Sequence, residues 1–182
     1  PDEVEIGQVI AHPAREAGLR FQVDTEAGVA LDEVIRQAAS HDPQVLPLLE
    51  FMLDQLWQQR TEHRELTFDA YERLGGLEGA LARRAEEIFQ ALTPEVREAF
   101  PSVLRALVTV GQGKGAEAVS RAAPLGAFPD GSTRRKLVEA FLDPSARLLV
   151  AEGNGEGVSI RIAHEALVTH WPRAQRQIAE DR

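Results

Sequence analysis

The sequence predicts a mainly α chain: a helical domain followed by a winged helix-turn-helix domain with a small antiparallel β-hairpin. Three observations carry this expectation. Apolar residues recur at spacings of three and four through Val45, Leu48, Leu49, Met52, Leu53, Leu56 and Trp57, and again through Leu77, Leu81, Ala85, Ile88 and Leu92, which is the period of one buried helical face. Two apolar runs, Leu148 to Ala151 and Val158 to Ala163, flank the turn-forming stretch Gly153-Asn-Gly-Glu-Gly157, the pattern of a hairpin. Between Thr93 and Ala163 the order is helix, strand, short connector, helix, strand, wing and strand, which is winged-helix order.

The elements follow in chain order. Leu31 to Ala39 reads as a short helix, and Asp42-Pro43 opens the longer one that runs to about Arg60. Pro47 falls in its first turn, where a missing N–H is tolerated. Thr67 offers a cap with Asp69 in the first turn, and Leu74-Gly75-Gly76 stops that helix. With the Leu77 to Leu92 stripe and Arg83, Arg84, Glu86 and Glu87 outside it, the first ninety residues read as helical. Thr93-Pro94-Glu95 starts a helix whose face is Phe100, Val103, Leu104, Leu107 and Val108, with Pro101 kinking or restarting it. Gly111 to Gly115 is a loop, Ala118 to Ala122 a short strand, and Pro124 to Gly131 a connector. Ser132 caps a helix with the face Leu137, Val138, Phe141 and Leu142, which Asp143-Pro144 ends. The expected division is 1–92, helical; 93–170, winged helix; and 171–182, a connecting helix.

Composition narrows the classes of function. With 182 residues, 43% hydrophobic and 27% charged, the chain has the balance of a folded globular protein. It has no cysteine, which removes disulfides, thiolate nucleophiles and cysteine-bound zinc and favours a cytoplasmic location. No apolar run approaches the ~20 residues that span a bilayer, so no membrane partner is expected. Pro1-Asp-Glu-Val-Glu5 at one end and Ala179-Glu-Asp-Arg182 at the other read as cuts through a longer protein. Residues 1–100 carry 9 basic and 20 acidic side chains within a net charge of -9, which disfavours a nucleic-acid partner. The basic cluster Arg134-Arg135-Lys136 reads as a solvated helix start.

Several motifs lead nowhere. Gly111-Gln-Gly-Lys114-Gly115 lacks the glycine spacing of a phosphate loop, and Gly115 stands where a hydroxyl must reach magnesium. His164-Glu165 would need a second histidine at Val168 to bind zinc, and His170 lies on another helical face. His12, His41 and His63 are isolated and read as surface or cap residues, and no serine-histidine-aspartate elbow occurs. No catalytic or metal-ligating set is therefore assigned. The feature that stands out is His164, an imidazole at a strand-to-helix junction. There, helix N–H groups and the positive end of the dipole could face an anion such as a nucleotide phosphate. The plainer alternative is that it caps the helix or packs.

Four blocks in order then resemble one family. They are His12-Pro13-Ala14 with Gly18-Leu19-Arg20-Phe21; Leu46-Pro47-Leu48-Leu49-Glu50-Phe51 with Leu56-Trp57; Leu66-Thr67, Tyr71, Leu74-Gly75-Gly76 and Gly79-Ala80-Leu81; and Ala163-His164-Glu165-Ala166-Leu167 with His170-Trp171-Pro172-Arg173. Together they resemble the bacterial novel STAND NTPases, signal-transduction ATPases often followed by WD repeats. The resemblance implies a segment C-terminal to the P-loop core, a helical lid followed by a winged helix, without the Walker elements. It implies ATP or ADP with magnesium in the full-length protein and none in the isolated chain. It also implies an upstream P-loop core and a downstream repeat sensor as partners, with homo-oligomers on activation.

By position, Pro47 matches the lid proline that approaches the nucleotide, and His164 the winged-helix histidine that approaches the ADP phosphates. A proline ring is apolar and brings no competing donor, whereas histidine can donate to a phosphate and change charge near neutral pH. The expected function is thus a regulatory lid and winged-helix segment of a nucleotide switch. The alternatives are a winged-helix DNA-binding regulator with an acidic helical partner domain, in which Ser132 to Leu142 would read the DNA, and a protein-interaction scaffold. Against the DNA reading, the wing from Glu152 to Gly157 holds two acids and no base.

Overall fold

A computed structural model describes residues 3–40, 45–110, 118–153 and 157–181, with the side chains of Glu3 and Pro47 outside that description. The chain is mainly helical with small sheets and divides into two compact units, Pro1–Ala80 and Leu81–Arg182.

In the first unit, α1 (Glu3–Glu16) packs on α2 (Leu31–Ala39) and α3 (Leu46–Gln58). Ile6 and Ile10 of α1, Leu31 and Ile35 of α2, and Leu49, Met52 and Leu56 of α3 are all buried at helical spacing, so one apolar face on each helix, predicted by its period for α3, builds their shared core. Two short pairings correct the expectation of ninety helical residues. β1 (Arg20–Phe21) runs parallel to β4 (Glu65–Leu66), and β2 (Val23–Asp24) pairs antiparallel with β3 (Val29–Ala30). Local chemistry sets the second pair: the Asp24 carboxylate accepts from the N–H groups of Glu26 and Ala27, and Gly28 at φ 68° closes the turn. The Gln22 side chain then accepts from the Phe68 N–H at 2.8 Å, at the start of α4 (Phe68–Leu74). Thr67 caps α4 as expected, accepting from the Ala70 N–H at 3.2 Å, and Gly75 in the left-handed region ends it.

α5 (Gly76–Ala91) carries the boundary between the units. Its buried line in the second unit is Leu81, Ala85 and Phe89, whereas Ile88 and Leu92, expected inside, are only partly covered. The aromatic ring at 89 takes the inward place because i, i+4, i+8 keeps a single face.

The second unit continues with α6 (Pro94–Arg97) and α7 (Phe100–Leu107), Pro101 marking the restart rather than a kink. Val108, expected at the end of that helix, instead opens β5 (Val108–Val110), which pairs antiparallel with β6 (Ala118–Ser120). Then come β7 (Ala123–Pro124), a 3-10 turn (Leu125–Ala127), α8 (Thr133–Leu142), β8 (Leu149–Glu152), β9 (Ser159–Ile162), α9 (Ala166–His170) and α10 (Pro172–Glu180). Ser132 caps α8 by accepting from the Arg135 N–H at 3.1 Å, and Leu137, Val138 and Phe141 form its buried face. The strands β7, β9 and β8 lie in that order in one antiparallel sheet, Leu149 opposite Ile162 and Ala151 opposite Ile160. The loop around Lys114 and the centre of the 153–157 turn lie outside the described residues. Among those described, no helix is long and apolar enough to cross a membrane.

Candidate functional site

His164 is placed by the pleat of β9. Ile160 and Ile162 point inward at 0% and 3% exposure while Ser159 and Arg161 are more open, and continuing the alternation by two residues brings His164 onto the inner face at 8%. It is the only buried polar side chain among the described residues. Ala163 extends the hydrogen bonding past β9 by donating to the Leu148 carbonyl at 3.0 Å. The His164 carbonyl accepts from the Leu167 N–H at 2.9 Å, and the Glu165 carbonyl from the Val168 N–H at 2.9 Å, so the imidazole-bearing residue is bonded directly to α9. That helix has only five residues, and Leu167 and Val168 bury it.

Glu165 faces outward and is held on the other side. Its carboxylate accepts the Ser120 N–H at 3.1 Å and the Ser120 hydroxyl at 2.7 Å, which directs the negative charge beside His164 toward β6. Pro47, the second predicted site residue, stands second in α3 in the first unit; its side chain lies outside the described residues. The two residues thus belong to different units. Among the described residues no group of three or more His, Cys, Asp or Glu is arranged to hold a metal ion.

Beyond α9 lies a cluster that the sequence does not reveal. Trp171 is 1% exposed, and its ring centroid stands 5.0 Å from Phe100, 6.0 Å from Phe89 and 6.1 Å from Phe141 in edge or tilted contacts. A buried indole N–H needs an acceptor, and Glu86 of α5 supplies it at 2.9 Å. The same carboxylate takes two bonds from Arg173, at 3.0 Å and 2.6 Å, and the guanidinium lies 4.1 Å over the Phe89 ring. The only signal for this in the sequence is Trp171 itself, whose donor must be satisfied if the ring is buried. The acceptor, 85 positions earlier on the charged side of a helix, carries no local mark.

This arrangement gives the unit one acid-sensitive contact. Arg173 foremost, aided by Gln90 and Trp171 and opposed by burial, holds the Glu86 carboxyl down from the usual 4.5 to about 2. A folded-state value below the unfolded one means that the stabilisation is complete above pH 4.5 and is lost as pH falls from there toward 2. The full shift corresponds to at most ~3 kcal/mol. Because 37% of the Glu86 side chain is exposed, water screens the pair, and ~1–2 kcal/mol is the expected loss. Urea unfolding at a series of pH values should show this decline in the wild type and a flatter profile in Glu86→Gln; equal slopes would remove Glu86 as the titrating group.

A chain of helices and short sheets, with a single buried imidazole among its described residues, is what fold and site define. The family model Novel STAND NTPase 1 matches residues 1–182, and the chain belongs to that family. No curated protein and no solved structure matches it.

Proposed function

We propose that this chain is the regulatory lid and winged-helix segment of a nucleotide-dependent switch, closing over ADP or ATP held with magnesium by a P-loop core elsewhere in the full-length protein. The observation that carries the reading is His164, whose imidazole is buried and whose backbone carbonyl is bonded to α9, with the neighbouring Glu165 carboxylate directed to Ser120. A donor so placed loses little freedom on meeting a phosphate, which is the condition for a strong charge-assisted bond. The order α7, β5, β6, β7, 3-10 turn, α8, β8, β9 and the strand sequence β7–β9–β8 support a winged helix over 93–170, with β5 and β6 as an added hairpin. Residues 1–92 are the lid, with Pro47 offering its ring to the base, and 171–182 a terminal helix. A downstream repeat sensor and assembly into homo-oligomers on activation complete the reading, in a cytoplasmic bacterial protein.

The DNA-binding alternative loses ground on α8. Of the basic cluster, Arg135 is bonded to Glu139 at 2.8 Å and lies 3.3 Å from Asp130, so it is committed within the chain. Glu152 at the wing is likewise paired with Arg161 at 2.6 Å, and no wing base reaches for phosphate among the described residues.

In the full-length protein His164→Ala should weaken ADP binding by ~1.5–3 kcal/mol, the worth of a hydrogen bond to a charged group. It should also raise the share of assembled protein, since a ligand favours a state only through contacts made there. ADP titration with oligomer size measured in parallel checks both. Unaltered affinity and assembly would reduce His164 to a packed end of β9.

A further inference from the structure

We propose that Glu86 is a positioning residue for His164: one carboxylate on α5 sets the register of the whole 164–173 segment through Trp171 and Arg173. The inference rests on the functional reading above. The His164 and Glu165 carbonyls accept from the Leu167 and Val168 N–H groups, so the residue that carries the imidazole moves with α9. α9 ends at His170 and leads without a spacer into Trp171, while the Gln175 side chain binds back to the Thr169 carbonyl and ties α10 to α9. The segment is therefore a short stiff body with two holds. Near His164 the hold is Ser120 on Glu165. At the far end it is Glu86, which receives one bond from the indole and two from the guanidinium.

Edge-on aromatic packing against Phe89, Phe100 and Phe141 fixes how deep the indole sits but tolerates sliding and rotation. Directional bonds from two residues to one carboxylate do not. Without them the body can shift along α5 while remaining buried, and the imidazole at its other end shifts with it. A general stabilising role predicts a loss that ignores His164; a positioning role predicts one that requires it.

The test is a double-mutant cycle on ADP affinity in the full-length protein, with Glu86→Gln and His164→Ala singly and together. Glu86→Gln keeps the shape and an acceptor for Trp171 but loses the charge that Arg173 needs. It should weaken ADP about three- to tenfold in the wild-type background, within the range found for coupled residues, and add nothing once His164 is Ala. Trp171→Phe, which keeps an aromatic though smaller ring and removes the donor, should behave alike and serves if Glu86→Gln does not fold. Equal losses in both backgrounds, or none in either while His164→Ala alone weakens ADP, overturn the proposal. In the 182-residue chain the His164 ring signals in NMR should shift in Glu86→Gln, while those of His12 and His63 in the first unit stay. Unmoved His164 signals overturn the positioning role whatever ADP does. If His164→Ala leaves ADP affinity unaltered while the ring signals shift, the positioning survives and the functional reading is what fails.

Discussion

Trp171→Ala is expected to destabilise the second unit by ~4–5 kcal/mol, at the upper end of large-to-small aromatic substitutions in a core. The ring is 1% exposed and touches aromatic rings from three other helices, Phe89 of α5, Phe100 of α7 and Phe141 of α8. Relaxation cannot fill the space, since those rings are themselves held on separate helices, and Phe100 and Phe141 already line an apolar cavity of about 20 Å³ with Trp171. The loss also strips Glu86 of its indole donor. Trp171→Phe keeps an aromatic ring, loses the donor and a smaller part of the buried volume, and should cost only ~1–3 kcal/mol. Against a whole-domain stability of ~5–15 kcal/mol, the alanine variant leaves the unit marginal at room temperature. Urea unfolding followed by far-ultraviolet circular dichroism reads the effect. Trp57, 44% exposed in the first unit, then remains as the sole tryptophan and reports on that unit alone by fluorescence. A loss under ~2 kcal/mol for Trp171→Ala would mean that the aromatic cluster is not the centre of the unit.

The parts of the fold that repeat over many residues were legible. α2 spans Leu31–Ala39 as read from the sequence, α8 ends before Asp143, and Thr67 and Ser132 cap their helices as expected. The hairpin strands β8 and β9 fall within a residue of their apolar runs. What escaped is short or long-range. A strand of two residues has no alternation to detect, and β1 with β4 joins positions 45 apart through backbone bonds that leave no side-chain pattern. Val108 continues the spacing of Phe100, Val103, Leu104 and Leu107, so periodicity alone extends α7 across the start of β5.

The site divides in the same way. The inward position of His164 follows from a two-residue period begun in β9, and Pro47 at the start of α3 follows from helix-start chemistry. The partners that hold the His164 segment, Ser120 and Glu86, lie 45 and 85 positions from Glu165 and Trp171, respectively. Neither is distinguishable from an ordinary surface polar residue until the chain is folded.

Gly79→Ala should destabilise the first unit by ~2–3 kcal/mol, although alanine is the better helix former by ~1 kcal/mol. The sign is decided by what a Cβ would meet. At Gly79 it would overlap the carbonyl oxygen of Leu74, the last residue of α4, and stand 3.0 Å from its carbonyl carbon. Both are backbone atoms, so no side chain can turn aside. The two helices cannot separate readily either, because Gly75 and Gly76 join them at φ 77° and 66°, and the Gly79 N–H is bonded to the Gly75 carbonyl at 3.0 Å. Relief must come from moving the end of α4, whose Ala70 and Leu74 are buried. Gly7 in α1 is the control: a Cβ there would meet only the Arg36 side chain, at 3.4 Å, and a flexible arm gives way. Gly7→Ala should therefore be neutral or stabilise by up to ~1 kcal/mol through helix propensity. Thermal and urea unfolding monitored at Trp57, with Trp171→Phe as the common background so that Trp57 is the sole tryptophan, compares the two variants with their parent in the unit to which all three positions belong. A Gly79→Ala protein as stable as Gly7→Ala would show that α4 and α5 do not approach this closely, and the glycine would then serve only to begin the helix.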